Sequence, residues 1–142
     1  TNTWRNMNRI TVKGSVKADI DKVWNCWTDP EHITNWNFAT DEWCCPKVEN
    51  NLRPNEKFSW RMEAKDGSMG FDFEGTYNKI AEKEWISYKM SDGRKVDIEF
   101  TQNGNEIQVS ETFDAEGTNS DELQRAGWQA ILGNFKKYVE SE

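Results

Sequence analysis

The chain has little of what usually marks a secreted, metal-bound or catalytic protein. Its 142 residues include one histidine, three prolines and three cysteines. Three is an odd number, Cys44 and Cys45 are adjacent, and Cys26 falls on an expected helix. The thiols therefore read as free in a reducing compartment, and a cytoplasmic location is expected. A structural zinc site needs four ligands at set spacings, and Cys26, Cys44, Cys45 and His32 do not supply them. They do not suggest a Cys–His nucleophilic pair either. No catalytic residue, metal or cofactor is expected, and no phosphate-cradling glycine loop is present. Lysine and arginine form no block, and the net charge of −7 repels phosphate backbones, so nucleic acid is not an expected partner. No apolar run approaches the ~20 residues that span a bilayer. The start, Thr1 to Asn8, is polar and lacks an apolar signal core, so secretion is not indicated, with a leader trimmed before Thr1 left open.

Apolar residues make up only 35% of the chain and charged residues 30%, but there are eight tryptophans. Aromatic side chains bury much area each, so few positions can still build a core, and they also make rigid walls for a ligand. The length suits one domain, taken as residues 1–142.

The first segment alternates, with Ile10, Val12, Gly14 and Val16 against Thr11, Lys13 and Ser15, a half-buried strand. Asp19 then caps an expected helix whose apolar residues Ile20, Val23, Trp24 and Trp27 share one face. Asp29 and Pro30 start a second short helix to about Trp36. From Glu42 the period becomes two. Phe58, Trp60, Met62 and Ala64 point one way, as do Phe71, Phe73, Gly75 and Tyr77. Ile86, Tyr88 and Met90 follow, then Val96, Ile98 and Phe100, then Ile107, Val109, Glu111 and Phe113. Asp66-Gly67, Asp92-Gly93 and Asn103-Gly104 are hairpin turns between these runs. A long amphipathic helix from Ser120 to about Glu140 closes the chain, with Asn119 and Glu122 as its expected capping pair. Its core stripe is Leu123, Trp128, Ile131, Leu132, Phe135 and Val139. The order β-α-α-β(×6)-α predicts an α+β fold in which a curved antiparallel sheet wraps around the long C-terminal helix, with two short helices between strands 1 and 2.

This order, together with Trp24, Asp29-Pro30-Glu31 and the run Gly127-Trp128-Gln129-Ala130-Ile131-Leu132, resembles the SRPBCC superfamily. That superfamily has the helix-grip fold of START lipid-transfer domains and pollen-allergen proteins. Met62-Glu63-Ala64-Lys65-Asp66-Gly67-Ser68, Gly70-Phe71-Asp72-Phe73, Asp92-Gly93-Arg94 and Glu111-Thr112-Phe113-Asp114 are similar to a bacterial branch. That branch is related to the C-terminal domain of the heat-shock protein ninety ATPase activator. The resemblance covers roughly residues 8–140. It implies a cavity between the last helix and the sheet for an apolar or amphipathic small molecule, including lipid-like ones. Related chains often carry His in place of Cys44, Asp in place of Asn51 and a glycine pair near Asn55-Glu56. The first two departures remove polar groups from the expected pocket mouth.

Glu111 is the one charge among the inward positions of the five regular strands. A carboxylate facing an apolar space is costly unless paired, hydrogen-bonded or protonated. Three readings stand: a solvent-facing or paired residue (with Arg125 or another cation), a polar anchor for a ligand, or a general acid/base. Trp43, Phe58, Trp60, Met62, Phe71, Phe73, Tyr88 and Phe100 are candidates for the pocket wall, some of them plain core. Trp128 and Leu132 face them from the last helix. Gly127 costs that helix roughly 1 kcal/mol against alanine, which implies close packing or, as second choice, room for a ligand. The expected function is binding, transport or sensing of a small apolar or amphipathic molecule, with a homodimer left open. The alternatives are a protein-interaction module like the chaperone activator, and an enzyme using Glu111 as acid/base.

Overall fold

The computed structural model describes residues 8–141. The N-terminal stretch read above as polar lies, except for Asn8, outside these residues. Ten elements follow in chain order: β1 (Arg9–Val16), α1 (Ile20–Thr28), α2 (Pro30–Ile33), β2 (Trp43–Asn50), β3 (Lys57–Ala64), β4 (Gly70–Ala81), β5 (Trp85–Met90), β6 (Lys95–Asn103), β7 (Glu106–Asp114) and α3 (Asp121–Ser141). The strands form one antiparallel sheet in the order β1-β7-β6-β5-β4-β3-β2. It curls into a half-barrel that grips α3, as the alternation and the single apolar face predicted.

Local chemistry explains the punctuation. Gly67, Gly93 and Gly104 all sit at positive φ in the three turns where Asp-Gly or Asn-Gly was read. The β4–β5 turn carries no glycine, and Lys83 takes the left-handed conformation there at φ 66°. Asn55 does the same at φ 70° in the β2–β3 loop, where asparagine tolerates what a glycine would adopt freely. Asp19 accepts a hydrogen bond from the Lys22 N–H, and Asp29 from the Glu31 N–H with Pro30 at the first helical position. Pro46 lies where the β2–β3 register shifts between Cys44 and Lys47, on an edge strand that can spare the donor.

Two expectations about α3 need correcting. The cap is Ser120, whose Oγ accepts from the Leu123 N–H at 3.1 Å. Asn119 instead presents its N–H to the Glu116 carboxylate and its carbonyl to Gln124. Leu123 is not core: it is 60% exposed. Burial on α3 is concentrated further along, at Leu132, Phe135 and Val139.

The core is divided accordingly. Phe135 meets Trp27 and Trp36, each with ring centroids at 4.8 Å, and the two tryptophans lie 4.9 Å apart. This cluster fills the space between the short helices and the C-terminal half of α3. A second aromatic group, Phe58, Trp60, Phe73, Tyr77 and Tyr88, lies along β3, β4 and β5. It faces the N-terminal half of α3, where Trp128 stacks on Phe113 at 4.0 Å and 11°. Leu132 meets Gly14 on β1, so α3 leans on that edge of the sheet and stands away from the opposite one.

Candidate functional site

The gap left by that lean is a cavity of about 320 Å³ between the N-terminal half of α3 and the sheet. That is roughly ten water-sized volumes and sits at the small end of known ligand pockets. Trp27 and Trp36 belong to the packed cluster and also form the cavity's inner end. Trp60, Phe73 and Tyr88 come from the sheet, and Gly127, Trp128 and Ile131 from α3. Phe71 and Leu123 mark the mouth, with 49% and 60% of their surface exposed. The loop after β7 completes the rim. Gln124 ties it to α3 by accepting from the Glu116 N–H and donating to the carbonyls of Glu116 and Asn119.

Of the twelve residues singled out in the sequence, eight line this cavity: Trp60, Met62, Phe71, Phe73, Tyr88, Glu111, Gly127 and Trp128. Four do not. Phe58 is enclosed by Trp60, Phe73, Tyr77 and Tyr88 and never reaches the space. Phe100 packs edge-on against Trp24 and Trp27. Leu132 is used up against Gly14, and Trp43 sits on the edge strand beside Phe71. Their inward alternation was real, but alternation gives the face of the sheet and not the position along it. Gly127 reverses its preferred reading. A Cβ built there meets nothing within 4 Å, so its lack of a side chain leaves open space.

Sequence patterns did not identify Asn37 or Arg94 as lining residues. Asn37 is buried in an irregular turn, where no period applies, and its amide donates to the sulfurs of Met62 and Cys45, at 3.2 and 3.7 Å. Arg94 follows the Asp92-Gly93 turn and pairs with Asp92 at 2.8 Å. Trp27 carried a signal in its helical stripe, read there as core.

Two polar groups from the sheet, the Glu111 carboxyl and the Tyr88 hydroxyl, have no hydrogen-bond partner among the described residues. Glu111 is 5% exposed, between Val12 on β1 and Ile98 on β6, and no hydrogen bond or ion pair from a described residue reaches its carboxyl. Arg125, the partner considered for it, donates instead to the Thr11 carbonyl at 2.9 Å. Burial alone pushes the Glu111 carboxyl up to about 8. The indole N–H of Trp60 is buried without a partner, whereas that of Trp36 donates to the Cys26 carbonyl at 2.8 Å. No hydrogen bond from a described residue reaches the Tyr88 hydroxyl. Burial, then the nearby Glu111, raises its pKa far above the usual phenol range.

Residues weighed for metal or thiol chemistry lie elsewhere. His32 Nδ1 contacts the Tyr138 hydroxyl, tying α2 to α3. Cys26 and Cys45 are buried, and burial pushes the Cys45 thiol up, away from the reactive thiolate. Among the described residues no cluster of three or more His, Cys, Asp or Glu is placed to hold a metal ion, and no helix is long and apolar enough to cross a membrane.

Comparison with known proteins agrees with this architecture. A family model described as activator of Hsp90 ATPase homolog 1-like protein matches residues 17–140. The solution structure of an AHSA1-like protein from Aeromonas hydrophila is 40% identical, with a TM-score of 0.89 over 94% of this chain and 93% of that one. A solution structure from Cytophaga hutchinsonii is 47% identical, with a TM-score of 0.82 over 96% and 93%. A crystal structure from Chromobacterium violaceum, at 20% identity, shares the fold, with a TM-score of 0.84 over 95% and 99%. No curated protein matches the chain.

Proposed function

The chain belongs to the AHSA1-like family of the SRPBCC superfamily, and from that premise we propose that it binds a small amphipathic molecule in the cavity beneath α3. One observation carries the reading: an aromatic-walled space of about 320 Å³ that also holds a carboxyl and a phenol with no hydrogen-bond partner among the described residues. Buried polar groups cost free energy unless hydrogen-bonded, so a ligand that supplies the missing bonds gains affinity from them. Apolar rings around them would hold the rest of the ligand by burial. Trp60 and Trp128 face the cavity, so their emission is the natural readout. Titration with a panel of small aromatic and lipid-like molecules should quench or shift it in a saturable way. Saturation should be lost when the space is filled by Gly127→Leu. A panel that leaves the emission unchanged throughout would count against the reading.

A second reading follows from the family description and the exposed apolar residues Met69, Phe71 and Leu123. In it the chain docks on a chaperone ATPase as the named activator does. Stimulation of the chaperone's ATP hydrolysis that weakens in a Met69→Ser, Phe71→Ser double variant is expected. No stimulation at micromolar protein would set it aside.

A further inference from the structure

The proposed site says more about its ligand than size and polarity. We propose that the cavity takes a small organic amine, bound as its ammonium ion against the carboxylate of Glu111. The proposal rests on the ligand-binding reading above and narrows it to one chemical class.

Glu111 lines the cavity from the middle of β7, 5% exposed, and its cross-strand neighbours Val12 and Ile98 are apolar. Every other charged or titratable group around the space is spoken for or neutral. From β5 comes the Tyr88 phenol, which stays protonated. From the β5–β6 turn comes Arg94, whose guanidinium is paired with Asp92 at 2.8 Å. From the loop after β7 comes Glu116, whose carboxylate accepts the N–H groups of Thr118 and Asn119. The lining residues of α3 are Leu123, Gln124, Gly127, Trp128 and Ile131, none of them charged. Only desolvation perturbs the Glu111 carboxyl, with no opposing contribution from a cation. Arg94 is the one cation among the described lining residues, its charge is felt at Tyr88, and no described cation pairs with the Glu111 carboxyl.

The walls suit the same answer. Trp60, Phe73, Tyr88 and Trp128 present aromatic rings to the space, and ring faces attract ammonium ions where water is excluded. An ammonium ion also brings N–H donors, which a carboxylate accepts and which the apolar neighbours cannot replace. A carboxylic acid ligand would have to place a second acid beside Glu111. An alcohol would leave the carboxyl's charge unmatched whenever it ionises.

The proton balance is simple. Free Glu111 holds its proton at neutral pH because burial raises it to about 8. An ammonium ion enters, the carboxyl proton leaves to solvent, and the two charges face each other; no other bond changes. Binding therefore releases close to one proton below pH 8 and none well above it, until the amine itself loses its proton near ~10.

The test uses three ligands of similar shape: phenethylamine, phenethyl alcohol and hydrocinnamic acid, titrated into the full chain with Trp emission and calorimetry as readouts. Amine affinity should rise about tenfold per pH unit below pH 8 and then flatten, while affinity for the alcohol stays level over that range and affinity for the acid falls. Glu111→Gln should weaken the amine about tenfold or more at pH 8 and abolish its pH slope, leaving the alcohol within about threefold. Alcohol binding with the amine no tighter, or an amine affinity independent of pH in the unaltered chain, would overturn the inference and leave the cavity a ligand site. Absence of binding by all three would remove both.

Discussion

Glu111 is where chain chemistry and fold chemistry disagree most. In the unfolded chain it is an ordinary carboxyl near 4.5, and in the fold burial raises it to about 8. The folded state therefore holds the proton more tightly between those values. Stability from this residue is complete below about pH 4.5, declines as pH rises, and is lost once pH passes about 8. The decline is on the order of 4–5 kcal/mol over that window. Denaturant titration across pH should show this slope, and Glu111→Gln should flatten it and make the chain the more stable of the two at pH 8 to 9. Parallel curves would mean that the carboxyl stays hydrated in the fold. The lowered carboxyls of Asp66 and Glu140 act in the opposite direction and on the acid side, but both face solvent and count for little. The inward position of Glu111 was legible from strand alternation. Its isolation was not, because pairing with Arg125 is a matter of where two distant backbones pass, and Arg125 turns outward to Thr11.

The elements were legible where a local rule sets them and obscure where a neighbour does. Turn glycines, the caps at Asp19 and Asp29 and the two-residue period all follow from steric and hydrogen-bonding rules within a few residues. The N-cap of α3 was misplaced by one residue, since both Asn119 and Ser120 are good capping types and the loop's tie to Gln124 decides between them. Ser120→Ala should accordingly cost about 1 kcal/mol in denaturant unfolding, with Asn119→Ala costing less. Two glycines on facing elements should behave in opposite ways. In β4, a Cβ at Gly75 would lie 2.7 Å from both the Lys89 carbonyl and the Phe58 ring, so Gly75→Ala should destabilise by about 1–3 kcal/mol. In α3, Gly127→Ala meets open space and should stabilise by up to about 1 kcal/mol through helix propensity. Equal effects of the two substitutions would contradict the close approach at one site and the cavity at the other.

For the whole molecule, packing and void are distributed along α3 as two halves. Phe135, packed edge-on against both Trp27 and Trp36, anchors the filled half, and Phe135→Ala should cost about 3–5 kcal/mol by thermal or chemical unfolding. A ligand in the open half should raise stability by about 2.7 kcal/mol at a hundred times its Kd, a shift that Gly127→Leu should erase. The family was read from the resemblance of short runs such as Gly127 to Leu132. The element order and the greasy face of the sheet could be read without coordinates, because period, caps and turn residues act over a few positions and the chain carries them openly. The occupancy of the interior could not. The tryptophans are bulky enough to fill a core or to line a cavity, and the sequence contains nothing that chooses. The choice is made by the contact of Leu132 with Gly14 and the cluster of Phe135 with Trp27 and Trp36, which set α3 close to β1 and leave the space on the β3–β5 side. These are contacts between residues far apart in the chain, and only the tertiary structure sets the distance at which they meet.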